Sequence, residues 1–220
     1  MRSTRFLSLF ILLAAGFASA QDSSIEEQLP GARITNETSS LDVSAGSVGV
    51  AAAPGRATVV NKCNVPMYLW SVSVDKTSAV HELRANGGQY TERMYSPRVG
   101  GVSMKVTKER NNGIIPACAP NIWDCKQTQL EYTLAPQESK VYYDISWVNC
   151  AKGQDASRCP GHSGGVRAGC VGNQCPVQHC APGAFCPHDV YYSCGAPCNT
   201  PDPTVATAES RDLVFTLCSG

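Results

Sequence analysis

The chain has 220 residues, and its 18 Lys and Arg are balanced by 18 Asp and Glu. This balance gives no electrostatic attraction toward nucleic acid or an anionic membrane, so neither is expected as a partner. The length is sufficient for one ordinary domain and short flanking segments.

The first 20 residues have the pattern of a secretory signal peptide. Arg2 and Arg5 precede an apolar run over 6–17, and small residues at 18–20 form a cleavage site. The run is shorter than the about 20 apolar residues that span a bilayer, so a membrane anchor is not expected. The sequence therefore predicts a protein that is secreted to the exterior or the cell wall.

Residues 21–56 are predicted to form a flexible leader or pro-segment. This stretch contains no aromatic residue and no cysteine and is rich in Ser, Ala and Gly, so it cannot bury enough surface to order itself. Asn36 begins the sequon Asn-Glu-Thr and is therefore a candidate glycosylation site.

All 12 cysteines follow the leader, and their even number in an oxidising compartment predicts six disulfides. Their order leaves the connectivity open, although Cys118 and Cys125 are close enough to pair locally. Zinc is disfavoured because the spacings are not those of zinc knuckles and free thiolates would be oxidised outside the cell. Neither a metal nor a cofactor is expected.

The remaining chain, 57–220, is predicted to be one all-β domain. Short apolar runs alternate with turn-forming Asn and Gly, and no window has a long helical period. The predicted strands are 58–61, 67–74, 88–93, 102–107, 129–134, 141–146 and 212–218. Residues from about 150 to 200 contain eight cysteines and hardly any aliphatic run, which indicates a loop region stabilised by disulfides and inserted before the last strand.

Two neighbouring strands, QLEYTL and VYYDIS, suggest a pair of facing acids. If Leu134 lies opposite Val141, the apolar residues of both strands share one face of the sheet. The other face then places Glu131 opposite Asp144. Two carboxylates in that position repel, so they require a counter-charge, a cation, open water or a shared proton at a functional cleft.

Several segments in the predicted strands are similar to thaumatin-like proteins, and above all to the fungal Blastomyces yeast-phase-specific family. They are ATVVNKCNVP (57–66), YLWSV, GGVSMKV, TQLEYTL followed by VYYDISWVN, and the terminal VFTLC. This resemblance implies a thaumatin-like β-sandwich with a disulfide-rich loop subdomain and an acidic cleft between them. It also implies a disulfide between Cys63 and Cys218, which joins the first strand to the last.

By the same resemblance, Glu131 and Asp144 match the cleft acids of a family in which some members bind or slowly cleave β-1,3-glucans. The match is incomplete, because Asn149 stands where a further acid is expected and only Lys105 lies near the expected arginine. These four residues are the predicted ligand-binding cleft. The two departures weaken catalysis more than binding, and the acids are the only candidates for catalytic residues.

Three aromatic residues outside the predicted core are candidate contacts for a ligand. Trp123 lies in a loop, and Tyr191 and Tyr192 follow the dense cysteines at 175–194. The leading hypothesis is a non-catalytic, monomeric secreted protein that binds a glycan of the β-glucan class at the cell wall or on a host. Two alternatives remain open. One alternative is a weak endo-β-1,3-glucanase using the same acids; the other is an effector or elicitor that binds a host protein through 151–211.

Overall fold

The computed structural model describes residues 53–194, 198 and 202–220. The predicted signal peptide, the Asn36 sequon and nearly all of the predicted leader lie outside these residues. The last residue assigned to the leader, Arg56, instead begins the first strand. Across the described ranges, no helix has the length and apolar character that crossing a membrane requires.

The described part of the chain is built from strands and five short 3₁₀ helices. The strands are β1 (Arg56–Asn61), β2 (Met67–Val72), β3 (His81–Leu83), β4 (Gly88–Arg93), β5 (Val102–Thr107), β6 (Thr128–Ala135), β7 (Lys140–Ser146), β8 (Val166–Cys170), β9 (Gln178–Cys180), β10 (Val190–Tyr191), β11 (Val205–Ala208) and β12 (Leu213–Leu217). The 3₁₀ helices are Asn111–Gly113, Ile122–Cys125, Pro136–Glu138, His162–Gly164 and Val171–Asn173.

The strands form two sheets. The first has the order β4-β1-β12-β8-β9, and the second has the order β10-β7-β6-β5-β2-β3, with β11 also paired to β7. Most neighbours are antiparallel, but the first and last strands, β1 and β12, run parallel. Because these two strands are neighbours in the middle of one sheet, a disulfide between the first and last cysteines is sterically possible.

The core lies between the two sheets. Inward-facing residues of β1, β12 and β8 share one buried cluster with those of β2, β5, β6 and β7. Tyr143 of β7 and Phe215 of β12 meet edge to face across this core, with ring centroids 6.5 Å apart. The predicted thaumatin-like β-sandwich is therefore confirmed as the fold of the described residues.

All twelve cysteines are paired. The bonds are Cys63–Cys218, Cys118–Cys125, Cys150–Cys159, Cys170–Cys175, Cys180–Cys186 and Cys194–Cys198. The first of these closes a loop with a sequence separation of 155, whereas the other five close loops of at most 9. The short loops stabilise segments that have few apolar neighbours of their own.

The predicted strands of the first half and the last strand are present, with ends that differ by at most two residues. The region from about 150 to 200 is predicted to be rich in disulfides and loops, and it contains four of the six disulfides. Its three short strands are not predicted from the sequence. They are β8, β9 and β10, and β8 lies inside the first sheet between β12 and β9. The sequence of β8, VRAGC, pairs with β12 although it has only one branched aliphatic residue.

One surface of the second sheet faces away from the core and carries mainly polar side chains. We call it the polar face; its residues are Ser103, Lys105, Gln129, Glu131, Asp144 and Ser146. Trp70 lies on the same side but is buried, because the segment around Gly113 covers it and accepts a hydrogen bond from its Nε1 at 3.2 Å. The polar face is therefore partly covered at one edge.

Candidate functional site

Glu131 and Asp144 lie directly opposite each other on β6 and β7. Pairs of Leu130 with Ile145 and of Leu134 with Val141 fix this register, because they place the apolar residues of both strands in the core. A slip of one residue would exchange the buried and exposed sides of the whole strand. The acids are therefore held together by the packing of the opposite face.

Ser103 of β5 completes a row of three residues, since it lies opposite Glu131 on the other side. Its hydroxyl donates to Gln129 Oε1 at 3.2 Å, and Gln129 Nε2 donates to Asn149 Oδ1 at the same distance. Asn149 Nδ2 in turn contacts the sulfurs of Cys118 and Cys125. Asn149 thus supports the neighbouring Gln129 and sits at the edge of the site.

The two acids have different surroundings, although burial raises the pKa of both. For Glu131 the desolvation is opposed by the Ser103 hydroxyl, by the positive charge of Lys105 and by a hydrogen bond with Asp144. For Asp144 the repulsion of Glu131 adds to desolvation, and Asp202 adds further, so the pKa of Asp144 lies well above its ordinary value. Glu131 therefore has compensating neighbours that Asp144 lacks, and the pKa of Asp144 is raised by desolvation and by repulsion together.

Lys105 is the cation nearest in position to this pair. It lies on β5, opposite Gln129, so it is diagonal to Glu131 on the polar face. Burial lowers the pKa of Lys105, and the charge of Glu131 acts in the opposite direction. Lys105 therefore compensates part of the negative charge of Glu131 from a position that does not compensate Asp144.

Tyr191 borders the site beyond β7. Its strand, β10, places it beside Ser146, and its hydroxyl contacts Asp202 Oδ1 and Thr204 Oγ1. Burial is the first cause that raises the pKa of Tyr191, followed by its hydrogen bond to Asp202. Tyr191 is therefore partly buried, and its hydroxyl is already hydrogen-bonded. Its position beside Ser146 places it at the edge of the polar face.

Tyr192 does not form a contact surface with Tyr191, and the prediction of an exposed pair is wrong. Its side chain is fully buried, and its ring packs against Trp147 and Phe185 at 5.5 and 4.8 Å between centroids. The backbone alternation at β10 turns consecutive residues to opposite sides. Trp123, in the 3₁₀ helix Ile122–Cys125, is partly buried rather than fully exposed.

Access to the carboxyl pair is limited. Both acids are partly buried, and Asp144 Oδ1 is out of contact with solvent and has no hydrogen-bond donor among the described residues. A cavity of about 350 Å³ lies elsewhere, between the end of β5 and the helix Ile122–Cys125. The carboxyl pair is therefore only partly accessible from solvent.

The histidines take no part in this site. His162 packs edge to face on Trp147, and His81 lies against Tyr90. Within the described residues no group of three or more His, Cys, Asp and Glu is arranged to hold a metal ion. The roles of Ser103 and Gln129 could not be predicted from the sequence, because polar residues are common on the outward face of a strand.

The two-sheet core, six disulfides and polar face define a thaumatin-like protein. The chain belongs to the Blastomyces yeast-phase-specific protein family, whose model matches residues 44–219. A search of curated proteins gave no match.

Two solved structures are similar to the chain. The protein elicitor MoHrip2 from Magnaporthe oryzae has a TM-score of 0.49 and 20% identity, over 75% of this chain and 99% of that one. The thaumatin-like xylanase inhibitor TLXI has a TM-score of 0.42 and 11% identity, over 74% of this chain and 98% of that one. At these levels neither structure transfers a function.

Proposed function

We propose that this chain is a secreted, non-catalytic thaumatin-like protein that binds a β-glucan, at the cell wall or on a host, through the polar face around Glu131 and Asp144. One observation carries the proposal: the carboxyl groups of Glu131 and Asp144 lie directly opposite each other on the polar face, next to the hydroxyl of Ser103 and the amide of Gln129. Together they offer a hydrogen-bond donor and an acceptor, which is what adjacent sugar hydroxyls require.

Secretion is supported by the disulfides. None of the twelve cysteines is free, and disulfides in this number persist in oxidising compartments. The predicted signal peptide, 1–20, is the segment that would direct this export. A direct check is recovery of the chain from culture medium, with an amino terminus that begins after residue 20.

Insoluble β-1,3-glucan is the probe that tests binding. The wild-type protein should be retained on it, and Glu131→Gln should weaken retention about tenfold, because a charge-assisted hydrogen bond is replaced by a neutral one. Glu82→Gln is the matched control: it removes the same charge from exposed β3, at the far edge of the same sheet. Absence of wild-type retention, or equal loss in both variants, would refute the proposal.

A weak endo-β-1,3-glucanase is the second candidate, and the unequal surroundings of the two acids favour it. Glycosidases use one protonated and one ionised carboxyl group. Against it stands the buried Oδ1 of Asp144, which solvent does not reach. Release of reducing sugar from soluble β-1,3-glucan, abolished by both Glu131→Gln and Asp144→Asn, would establish hydrolysis and replace the binding proposal.

A protein-binding effector is the third candidate, with 151–211 as its surface. Within this region Val171, Val177 and Phe185 expose 62%, 40% and 43% of their surface, which provides apolar area for contact with a protein. A host response that is unchanged in Glu131→Gln and lost in Val171→Ser/Val177→Ser would support this candidate. A response that instead follows Glu131 would exclude it.

A further inference from the structure

A polar cavity lies at the end of β5, separate from the carboxyl pair. Its volume is about 350 Å³, within the range of about 300–1,000 Å³ of small-molecule sites. We call it the basic cavity; its lining residues are Thr107, Lys108, Glu109, Asn111, Pro116, Asp124, Cys125, Lys126 and Arg158. Three of these are cationic and two are acidic.

Three cations and two acids leave the basic cavity with one net positive charge, and Asp124 is the acid that lies near Arg158. Asp124 is already occupied, because its Oδ2 accepts hydrogen bonds from the backbone and side chain of Asn121 at 3.3 and 3.1 Å. Its other oxygen lies 3.8 Å from Arg158 Nη1, which is longer than a hydrogen bond. The guanidinium of Arg158 therefore keeps donors for another oxyanion.

The two lysines of the basic cavity form no ion pair with the described residues. Only two ion pairs occur among the described residues, Arg98 with Asp75 and Arg158 with Asp124, and neither involves Lys108 or Lys126. Both lysines are exposed at the rim. Their ammonium groups are thus available to an anion from solvent.

The walls of the basic cavity are fixed before any ligand arrives. The disulfide Cys118–Cys125 holds one wall, and Cys150–Cys159 holds the segment next to Arg158. Gln127 Nε2 donates to the carbonyl oxygen of Pro116 at 2.8 Å and so fixes the segment that contains this lining residue. A cavity formed in this way costs little ordering when it binds a ligand.

Lys126 has an unusual backbone for its residue type. Its φ of 51° and ψ of 39° lie in the left-handed region, which lysine adopts much less readily than glycine or asparagine. Residues held in that region cluster at binding sites. At Lys126 the conformation follows directly after the disulfide-bonded Cys125 and places the lysine at the rim of the cavity.

We propose that the basic cavity binds a sugar that carries an oxyanion group. Lys108, Lys126 and Arg158 supply charge for the oxyanion. The Glu109 carboxylate supplies an acceptor for ring hydroxyls, and Asn111 supplies one N–H, since its Nδ2 already donates to the carbonyl oxygen of Ile114 at 2.8 Å. The oxyanion can be the carboxylate of a uronic acid or the phosphate of a sugar ester. The experiment separates these two sources.

Calorimetric titration of the full secreted chain tests this site. Trigalacturonate and glucose 6-phosphate are the two anionic probes, and maltotriose is the neutral one. At least one anionic probe should bind more tightly than maltotriose, and the affinity should fall when salt is raised from about 0.1 M to about 1 M. Binding of neither anionic probe, or equal binding of maltotriose, would overturn the proposal.

Substitutions at the rim locate the binding. Lys126→Asn suits the left-handed backbone, and Lys126→Asn and Arg158→Gln should each weaken binding about tenfold through loss of a charge-assisted contact. Lys152→Gln removes an exposed charge outside the cavity and should leave the affinity unchanged. Equal losses in all three variants, or none in the first two, would refute the site.

Two further comparisons complete the test. Inorganic phosphate should bind more weakly than the better anionic sugar; an equal affinity would show that the cavity recognises an anion alone and would overturn the sugar assignment. Glu131→Gln should not change the affinity for the anionic sugar, because Glu131 is outside the cavity lining. Loss of this affinity in Glu131→Gln would contradict a separate site, whereas failure of glucan retention alone leaves the cavity proposal standing.

Discussion

Replacement of Asp144 by asparagine tests the electrostatics of the carboxyl pair directly. In the folded protein Asp144 is desolvated and faces Glu131, so its pKa lies well above its ordinary value. Asparagine has nearly the same shape and keeps an N–H donor for Glu131, but it has no charge to lose or gain. The variant therefore removes the titration and preserves the packing.

The direction of the pH dependence of the unfolding free energy follows from whether the folded or the unfolded state binds the proton more tightly. Because the folded-state pKa of Asp144 is raised, the folded protein binds a proton over a pH range in which the unfolded chain has released it. The stability that this proton contributes is complete below the unfolded-state pKa and is lost as pH rises through the folded-state pKa. In that window the free energy of unfolding falls by up to about 1.4 kcal/mol per pH unit.

Urea unfolding with the disulfides intact measures this dependence. As pH rises above the ordinary pKa of an aspartate, the difference in unfolding free energy between Asp144→Asn and wild type should increase in favour of the variant until the pH passes the folded-state pKa of Asp144. Glu82→Gln, on exposed β3, is the control and should follow the wild-type profile. Parallel profiles for wild type and Asp144→Asn would refute the raised pKa of Asp144.

Two further predictions concern stability. Cys63→Ser/Cys218→Ser should lower the free energy of unfolding by up to about 5 kcal/mol, since the lost bond closes a sequence separation of 155; a melting temperature within a few degrees of wild type would contradict this. Gly88→Ala should lower the free energy of unfolding by about 2–4 kcal/mol, because the added Cβ would lie 2.2 Å from the backbone nitrogen of Arg84. The adjacent exposed change Gln89→Ala should be nearly neutral in the same urea titration, and equal effects would refute the steric argument.

The strands of the first half could be predicted because alternation is a strong local signal there. In β6 and β7 the apolar residues recur at every second position, so only one register buries both sets. That register predicts from the sequence alone that Glu131 lies opposite Asp144. The supporting contacts could not be predicted, since the Gln129 to Asn149 hydrogen bond depends on how the chain turns after β7.

The second half was harder to predict because its core is aromatic and small rather than aliphatic. Trp147, Phe185 and Tyr192 pack together near the disulfides, and the tyrosine is buried in that group. Aromatic residues among cysteines were interpreted as a contact surface, whereas here they replace the missing aliphatic residues. Strand β8 was missed for the same reason, because Gly169 and Ala168 give it no apolar alternation.

The surroundings of the two acids also bear on the choice between binding and hydrolysis. Ser103 and Lys105 both act on Glu131 from β5, while Asp144 has only Glu131 and Asp202 as charged neighbours that shift its pKa. The two acids therefore differ in their surroundings, although Lys105 and Asn149 stand where the resemblance leads one to expect an arginine and a third acid. A general acid must also reach the leaving oxygen of its substrate, and the buried Oδ1 of Asp144 does not reach solvent. The same burial keeps Oδ1 from the hydroxyl of a sugar, so the proposed glycan contact depends on Glu131 and is tested by its loss in Glu131→Gln.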